Sequence, residues 1–206
     1  MEADQPQQPE FVLIPVGQTD WEHEGRLAGG ADLPLNATGE RQVEALGRQL
    51  AERGIQVVFA SENQTAQQTG RSLAESLGVS LRKAKGLEEI DVGLWEGLTA
   101  DQLKQRYPRV YKQWLEQPAS VQLPQGEDLQ MAAKRLVDAL VRISTRAKAS
   151  CVGVVLGRLA MGLLRCQLEG LGLDNLWQKM DDTPTWYCFK LSQEMIENGR
   201  KGNNRK

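Results

Sequence analysis

Histidine is all but absent from this chain: His23 stands alone among 206 residues. That excludes a metal centre built on a histidine cluster, and any mechanism that uses two imidazoles. Cysteine is nearly as scarce. Cys151, Cys166 and Cys188 are odd in number, widely spaced and set in apolar surroundings. This is the pattern of buried thiols in a reducing compartment, not of a disulfide framework, so a cytoplasmic location is expected. No apolar run approaches the roughly 20 residues that a membrane helix needs, so no membrane partner is expected. A formal net charge of −2 gives no bulk attraction to nucleic acid. Residues 1–10 are polar and rich in Pro and Gln, without an apolar signal core, and read as a disordered leader.

What remains is the composition of a globular protein, with 40% apolar residues to build a core. The run Phe11–Val16 reads as a buried strand ending abruptly at Gly17, with Pro15 expected at its very end because proline removes a backbone donor. Asn36 is placed to cap a helix carrying Val43, Leu46 and Leu50 on one face and ending at Gly54. Ile55–Ala60 is a second strand. Ser61 is the expected cap of a helix closed by Gly78, and residues 79–83 form a third short strand. Residues 87–97 are an acidic loop. Two short helices are expected at 101–106 and 109–117, a long amphipathic one over 127–148, an apolar strand at Cys151–Leu156, a helix over 158–169 and a last strand within 185–191. Strands alternating with helices imply an α/β fold, a three-layer α/β/α sandwich with a mostly parallel central sheet. From Glu194 the chain turns polar and basic; residues 194–206 are expected to be a flexible tail, with an electrostatic docking arm as the sharper alternative.

Five motifs carry a resemblance. The first is Gly17-Gln18-Thr19 with Trp21, Gly25 and Arg26, continued by Asp32, Pro34-Leu35, Gly39 and Gln42. The second is Val57–Ser61, and the third Leu87-Glu88-Glu89 with Trp95-Glu96-Gly97. Gly126-Glu127-Asp128 is the fourth and Val152–Arg158 the fifth. In this order they resemble the histidine phosphatase (phosphoglycerate mutase-like) superfamily over residues 11–191. The resemblance implies one domain over 11–193, with a small helical cap insertion at about 98–125 above the strand ends.

It also implies which residues matter, and here the chain departs from the family. Pro15 and Val16 stand where the family has Arg and its nucleophilic His. Gln64 stands where a second phosphate-gripping Arg is expected, Gly157 replaces the second catalytic His, and Leu156 its neighbouring Ser. Glu22 replaces an Asn. The family's proton-donating Glu is retained as Glu89, and Arg26 is retained. Val16 has no lone pair with which to attack phosphorus. Loss of two Arg and two His removes the fixed positive charge that stabilises a transferring phosphoryl group.

The expectation is therefore a pseudoenzyme that binds a protein partner or a small ligand through Gln18, Thr19, Glu22, Arg26 and Glu89, with no metal and no cofactor; a homodimer stays open. Two alternatives are carried. Glu22, Glu88, Glu89, Asp91 and Glu96 supply an acid/base pair or an oxygen-ligand metal site in a repurposed enzyme, or the chain remains a phosphatase or mutase by a divergent route. Arg26 either holds an anion or pairs with Glu89 or Glu22. Trp95, Trp114, Trp177 and Trp186 read as core or cap packing, and His23 as a solvated loop residue.

Overall fold

Phe11, Val12, Leu13 and Ile14 are all fully buried in the computed structural model, which describes residues 8–182 and 185–203. A strand buried on both faces reads as a continuous apolar run, and this one forms β1 (Glu10–Pro15). After the short α1 (Asp20–His23) come α2 (Ala37–Leu50), β2 (Val57–Ala60), α3 (Gln64–Leu77) and β3 (Ser80–Lys83). The insertion carries α4 (Ala100–Arg106) and α5 (Pro108–Glu116). The chain then returns through α6 (Leu129–Arg146), β4 (Cys151–Leu156), α7 (Arg158–Leu168), α8 (Leu176–Asp181), β5 (Tyr187–Phe189) and α9 (Gln193–Asn203).

The strands order β3-β2-β4-β1-β5, parallel except for β5. Alternate residues feed two cores. Val12, Ile14, Val58, Ala60 and Val155 pack with Val43, Leu46 and Leu50 of α2 and Leu73 of α3. Phe11, Leu13, Phe59, Val154 and Leu156 face Leu136 and Leu140 of α6, Leu163 and Leu164 of α7, and the cap residues Leu103 and Trp114. Each fully buried large aliphatic or aromatic side chain contributes about 1.5–3 kcal/mol. Both cores are therefore held by burial and need no charged cradle.

Several local expectations hold. Asn36 accepts from the Gly39 N–H at the head of α2, Pro108 is the first residue of α5, and Gly78 ends α3 in the left-handed region at φ 68°. Others are corrected. Asn63, not Ser61, caps α3, its side chain accepting from the Ala66 N–H. Ser61 is instead buried, and its hydroxyl donates to Asn63 Oδ1. The strand β2 starts at Val57, two residues past the expected start; just before it the Gln56 N–H donates to Cys151 O at 3.1 Å and its carboxamide oxygen accepts from the Ser150 N–H at 2.7 Å. The expected flexible tail is helical over Gln193–Asn203. Ile196 is buried, and Gly199 lies so close to Val141 of α6 that a β-carbon would meet its side chain at 2.9 Å. Residues 204–206, and residues 1–7 of the leader, lie outside the described residues. Pro15 does close β1, but β1 is an interior strand; its pairing with β5 stops at Leu13, so no partner is denied a donor. Among the described residues no helix is long and apolar enough to cross a membrane.

Candidate functional site

Parallel strands deliver their C-terminal ends to one edge of the sheet, where loops converge. Because β1 and β4 are neighbours, Pro15 pairs with Leu156 and the Val16 N–H donates to Leu156 O at 2.9 Å. The first and fifth motifs, far apart in sequence, thus stand side by side. Val16, Gly157 and Ser61 from the ends of β1, β4 and β2 line one cavity of about 170 Å³. Thr19, Leu27, Leu33, Leu87 and Leu159 add to its wall, and Trp177 and Met180 of α8 close one side. The former site is open, not filled. Leu156 is buried away from it, and Pro15 lines an adjoining cavity of about 420 Å³ with Gln42, Gln49 and Arg158.

Glu89 is the centre of the arrangement. Its Oε1 accepts from Ile90 N–H at 2.8 Å and Ala160 N–H at 2.8 Å; Oε2 accepts from Leu159 N–H at 3.1 Å. Leu159 and Ala160 are in the first turn of α7, so the carboxylate occupies the helix N-terminus, where free N–H groups and the helix dipole favour an anion. It fits there because residue 157 has no side chain: a β-carbon on Gly157 would lie 2.1 Å from Glu89 Oε2. The backbone of Gly157 at φ −67° is ordinary, so it is the carboxylate, not backbone conformation, that demands glycine. Burial pushes the Glu89 carboxyl up to about 7; the backbone donors and, more weakly, the Arg135 guanidinium pull the other way. Arg135 is itself committed to Glu127, at 2.6 Å, and to Glu88.

The other expected binding residues scatter. Thr19 caps α1 and lines the cavity. Gln18 does not line it: its Oε1 accepts from Asn36 Nδ2 at 3.2 Å. Arg26 pairs with neither Glu89 nor Glu22; its Nε bonds Glu24 at 2.6 Å and its Nη1 donates to Gly97 O at 2.9 Å. Glu22 is held by Arg158 at 2.9 Å across the cavity rim. Gln64, the first residue of α3, is exposed and outside the wall, its N–H given to Asp32. His23 is exposed at the end of α1, off the wall.

The five carboxylates considered for an acid/base pair or metal site do not all gather in one place: Glu22 and Glu89 line the cavity, whereas Glu88, Asp91 and Glu96 do not. Glu88 accepts from Gly86 N–H, Asp91 from Gly93 N–H, and Glu96 from Ala31 N–H, while Glu22 and Glu89 have the partners above. Among the described residues no three acidic, His or Cys side chains gather as a metal site. Trp95 and Trp114 are buried and meet edge to face at 5.7 Å; Trp186 lies under Arg53. Trp177, read as packing, is also cavity wall, its Nε1 donating to Trp114 O at 2.8 Å. Sequence reasoning missed Arg158, Asn63 and Met180 as wall residues. The one available signal was an Arg following a strand-ending Gly.

The chain is a mostly parallel α/β protein whose cavity lies at the C-terminal ends of its strands. Residues 11–198 match the family model for the histidine phosphatase superfamily (branch 1), and the chain belongs to that superfamily. It is 26% identical to phosphoserine phosphatase 1 of Hydrogenobacter thermophilus, over 89% of this chain and 87% of that protein. It is 30% identical to a probable phosphoglycerate mutase of Klebsiella pneumoniae, over 79% and 75%. Among solved structures, YhfR of Bacillus stearothermophilus aligns with a TM-score of 0.77 at 25% identity, covering 82% of this chain and 84% of that one. An Escherichia coli putative alpha-ribazole-5'-P phosphatase aligns at 0.77 and 23% identity, covering 91% and 92%, a likeness of fold.

Proposed function

We propose that this chain is a non-catalytic member of the superfamily, a pseudoenzyme that acts by binding a protein partner or small ligand at the strand-end cavity. The observation that carries the reading is Glu89 seated on the N-terminus of α7 in the space left by Gly157. A carboxylate already occupies the donors that would receive an anion. Above about pH 7, where the Glu89 carboxyl is ionised, a phosphate brought near it would meet a like charge; two unit charges at 4 Å interact by about 4 kcal/mol at an effective dielectric near 20. Val16 offers no nucleophile, the rim cations Arg26 and Arg158 are each paired with a carboxylate, and Gln64 is outside the wall. Loss of a catalytic group singly costs about 10⁴–10⁶ in rate, and several are absent together.

The test is turnover by purified protein of p-nitrophenyl phosphate, phosphoserine and 3-phosphoglycerate. No hydrolysis or isomerisation above that of the Glu89→Ala variant is expected; turnover that this substitution abolishes would refute the reading. A second reading, a phosphatase or mutase of divergent mechanism, draws support from the open cavity and from the activities named for the relatives. A covalent phosphoryl adduct in intact-mass spectra would decide for it. Where the partner is a protein, a homodimer is one form of it that sedimentation velocity reads directly.

A further inference from the structure

We infer that the strand-end cavity selects a small apolar ammonium group, the reverse of the charge preference its architecture is built around. The inference rests on the non-catalytic reading and names the ligand class of that site. An ionised carboxylate has about four acceptor positions. Three backbone N–H groups take two on Oε1 and one on Oε2 of Glu89. The unused position is on Oε2, the oxygen beside the missing side chain of Gly157, and both residues line the cavity.

No Lys or Arg forms an ion pair with Glu89 among the described residues, while the other charged wall groups are matched: Glu22 with Arg158, Arg26 with Glu24. The floor of the cavity is thus its one charge without a counter-ion. The remaining wall is dominated by Val16, Leu27, Leu33, Leu159, Trp177 and Met180. An apolar body packs against such a wall. An anion gains nothing here, because the helix donors are taken and the carboxylate repels it. A neutral donor satisfies the free acceptor position but leaves the charge unpaired, so the ammonium is preferred. An apolar cavity of about 150 Å³ accepts benzene, so about 170 Å³ suits one ring with one short polar arm.

The probes are benzylammonium, benzyl alcohol, benzoate and inorganic phosphate, titrated into the full chain by calorimetry at pH 8, with tryptophan fluorescence as a second readout. Benzylammonium is expected to bind at least tenfold tighter than benzyl alcohol, and benzoate and phosphate to show no saturable binding. Glu89→Gln is expected to erase the tenfold preference while retaining benzyl alcohol binding. Ala28→Phe, which places a ring in the cavity and leaves the Glu89 side chain unaltered, is expected to abolish both, and it stands as the test if Glu89→Gln fails to fold. Equal affinity for the alcohol and the ammonium, saturable binding of benzoate or phosphate, or ammonium binding that survives Ala28→Phe would each overturn the inference. p-Nitrophenyl phosphate turnover, followed on the same preparation, separates the two claims. Turnover refutes the non-catalytic reading itself, whereas anion binding without turnover refutes only the charge preference.

Discussion

Gly157 and Glu89 are packed against one another, the carboxylate occupying the space a side chain at 157 would need. A β-carbon at 157 would overlap the carboxylate, so Gly157→Ala must push Glu89 off the head of α7 or shift the helix. Overpacking of this kind costs about 1–3 kcal/mol, and a loss in that range is expected from urea unfolding. A second residue-scale prediction concerns pH. The folded-state pKa of Glu89 is raised to about 7 from an ordinary 4.5. The folded protein therefore holds a proton that the unfolded chain has released between those values. The stabilisation is fully present below about 4.5 and is lost as pH rises through about 7. At about 1.4 kcal/mol per unit this amounts to roughly 3 kcal/mol. Wild type is expected to lose more stability than Glu89→Gln between pH 5 and pH 8, measured by urea midpoints. Parallel slopes for the two proteins would mean that Glu89 is not the titrating group.

At the scale of elements, what was legible followed from periodicity and caps. The apolar runs of β1 and β4, the facing stripe of α2, the Asn36 cap and the Gly78 stop all stand where local chemistry puts them. The start of α3 was misread because Ser61 and Asn63 are both good caps. Tertiary packing decides between them, burying Ser61 at the end of β2 and leaving Asn63 to meet the helix N–H groups. Asn63→Ala is accordingly expected to destabilise by about 1 kcal/mol in urea unfolding, the usual worth of such a cap. The helix α8 was not legible. Its six residues, fewer than two turns, depend on contacts with α7: Leu176 packs on Gly162, and the buried Arg165 donates to Lys179 O at 2.7 Å. The helix α9 was hidden by its polar composition, since Ile196 and the bare Gly199 are enough to dock it on α6 but too few to form a visible stripe. Ile196→Ala should expose that contact, seen as faster hydrogen exchange in α9 with the sheet unchanged.

On the scale of the whole molecule, the question is whether the chain is the familiar scaffold with pieces removed, or one rebuilt around their loss. The sheet and its two cores are indifferent to the answer, since they are held by aliphatic burial on both faces. The site is not indifferent. Glu89 accepts from the helix donors, Arg26 bonds Glu24 and the Gly97 carbonyl, and Arg158, at the rim, pairs with Glu22, so the charged groups around the cavity are bonded within the protein. None of this was legible in the motifs, because they report which residues are present and not what those residues bond. A rebuilt site predicts that reversal fails. Combining Pro15→Arg, Val16→His, Gln64→Arg and Gly157→His returns the residue types but sets a large side chain against the Glu89 carboxylate, and sets Gln64→Arg at an exposed position outside the cavity wall. The combined variant is expected to lose more stability in urea than Gly157→Ala, and to turn over no p-nitrophenyl phosphate even where it folds. Turnover within a few hundredfold of an active superfamily member would show instead that the scaffold had kept its catalytic geometry and lacked only the four side chains.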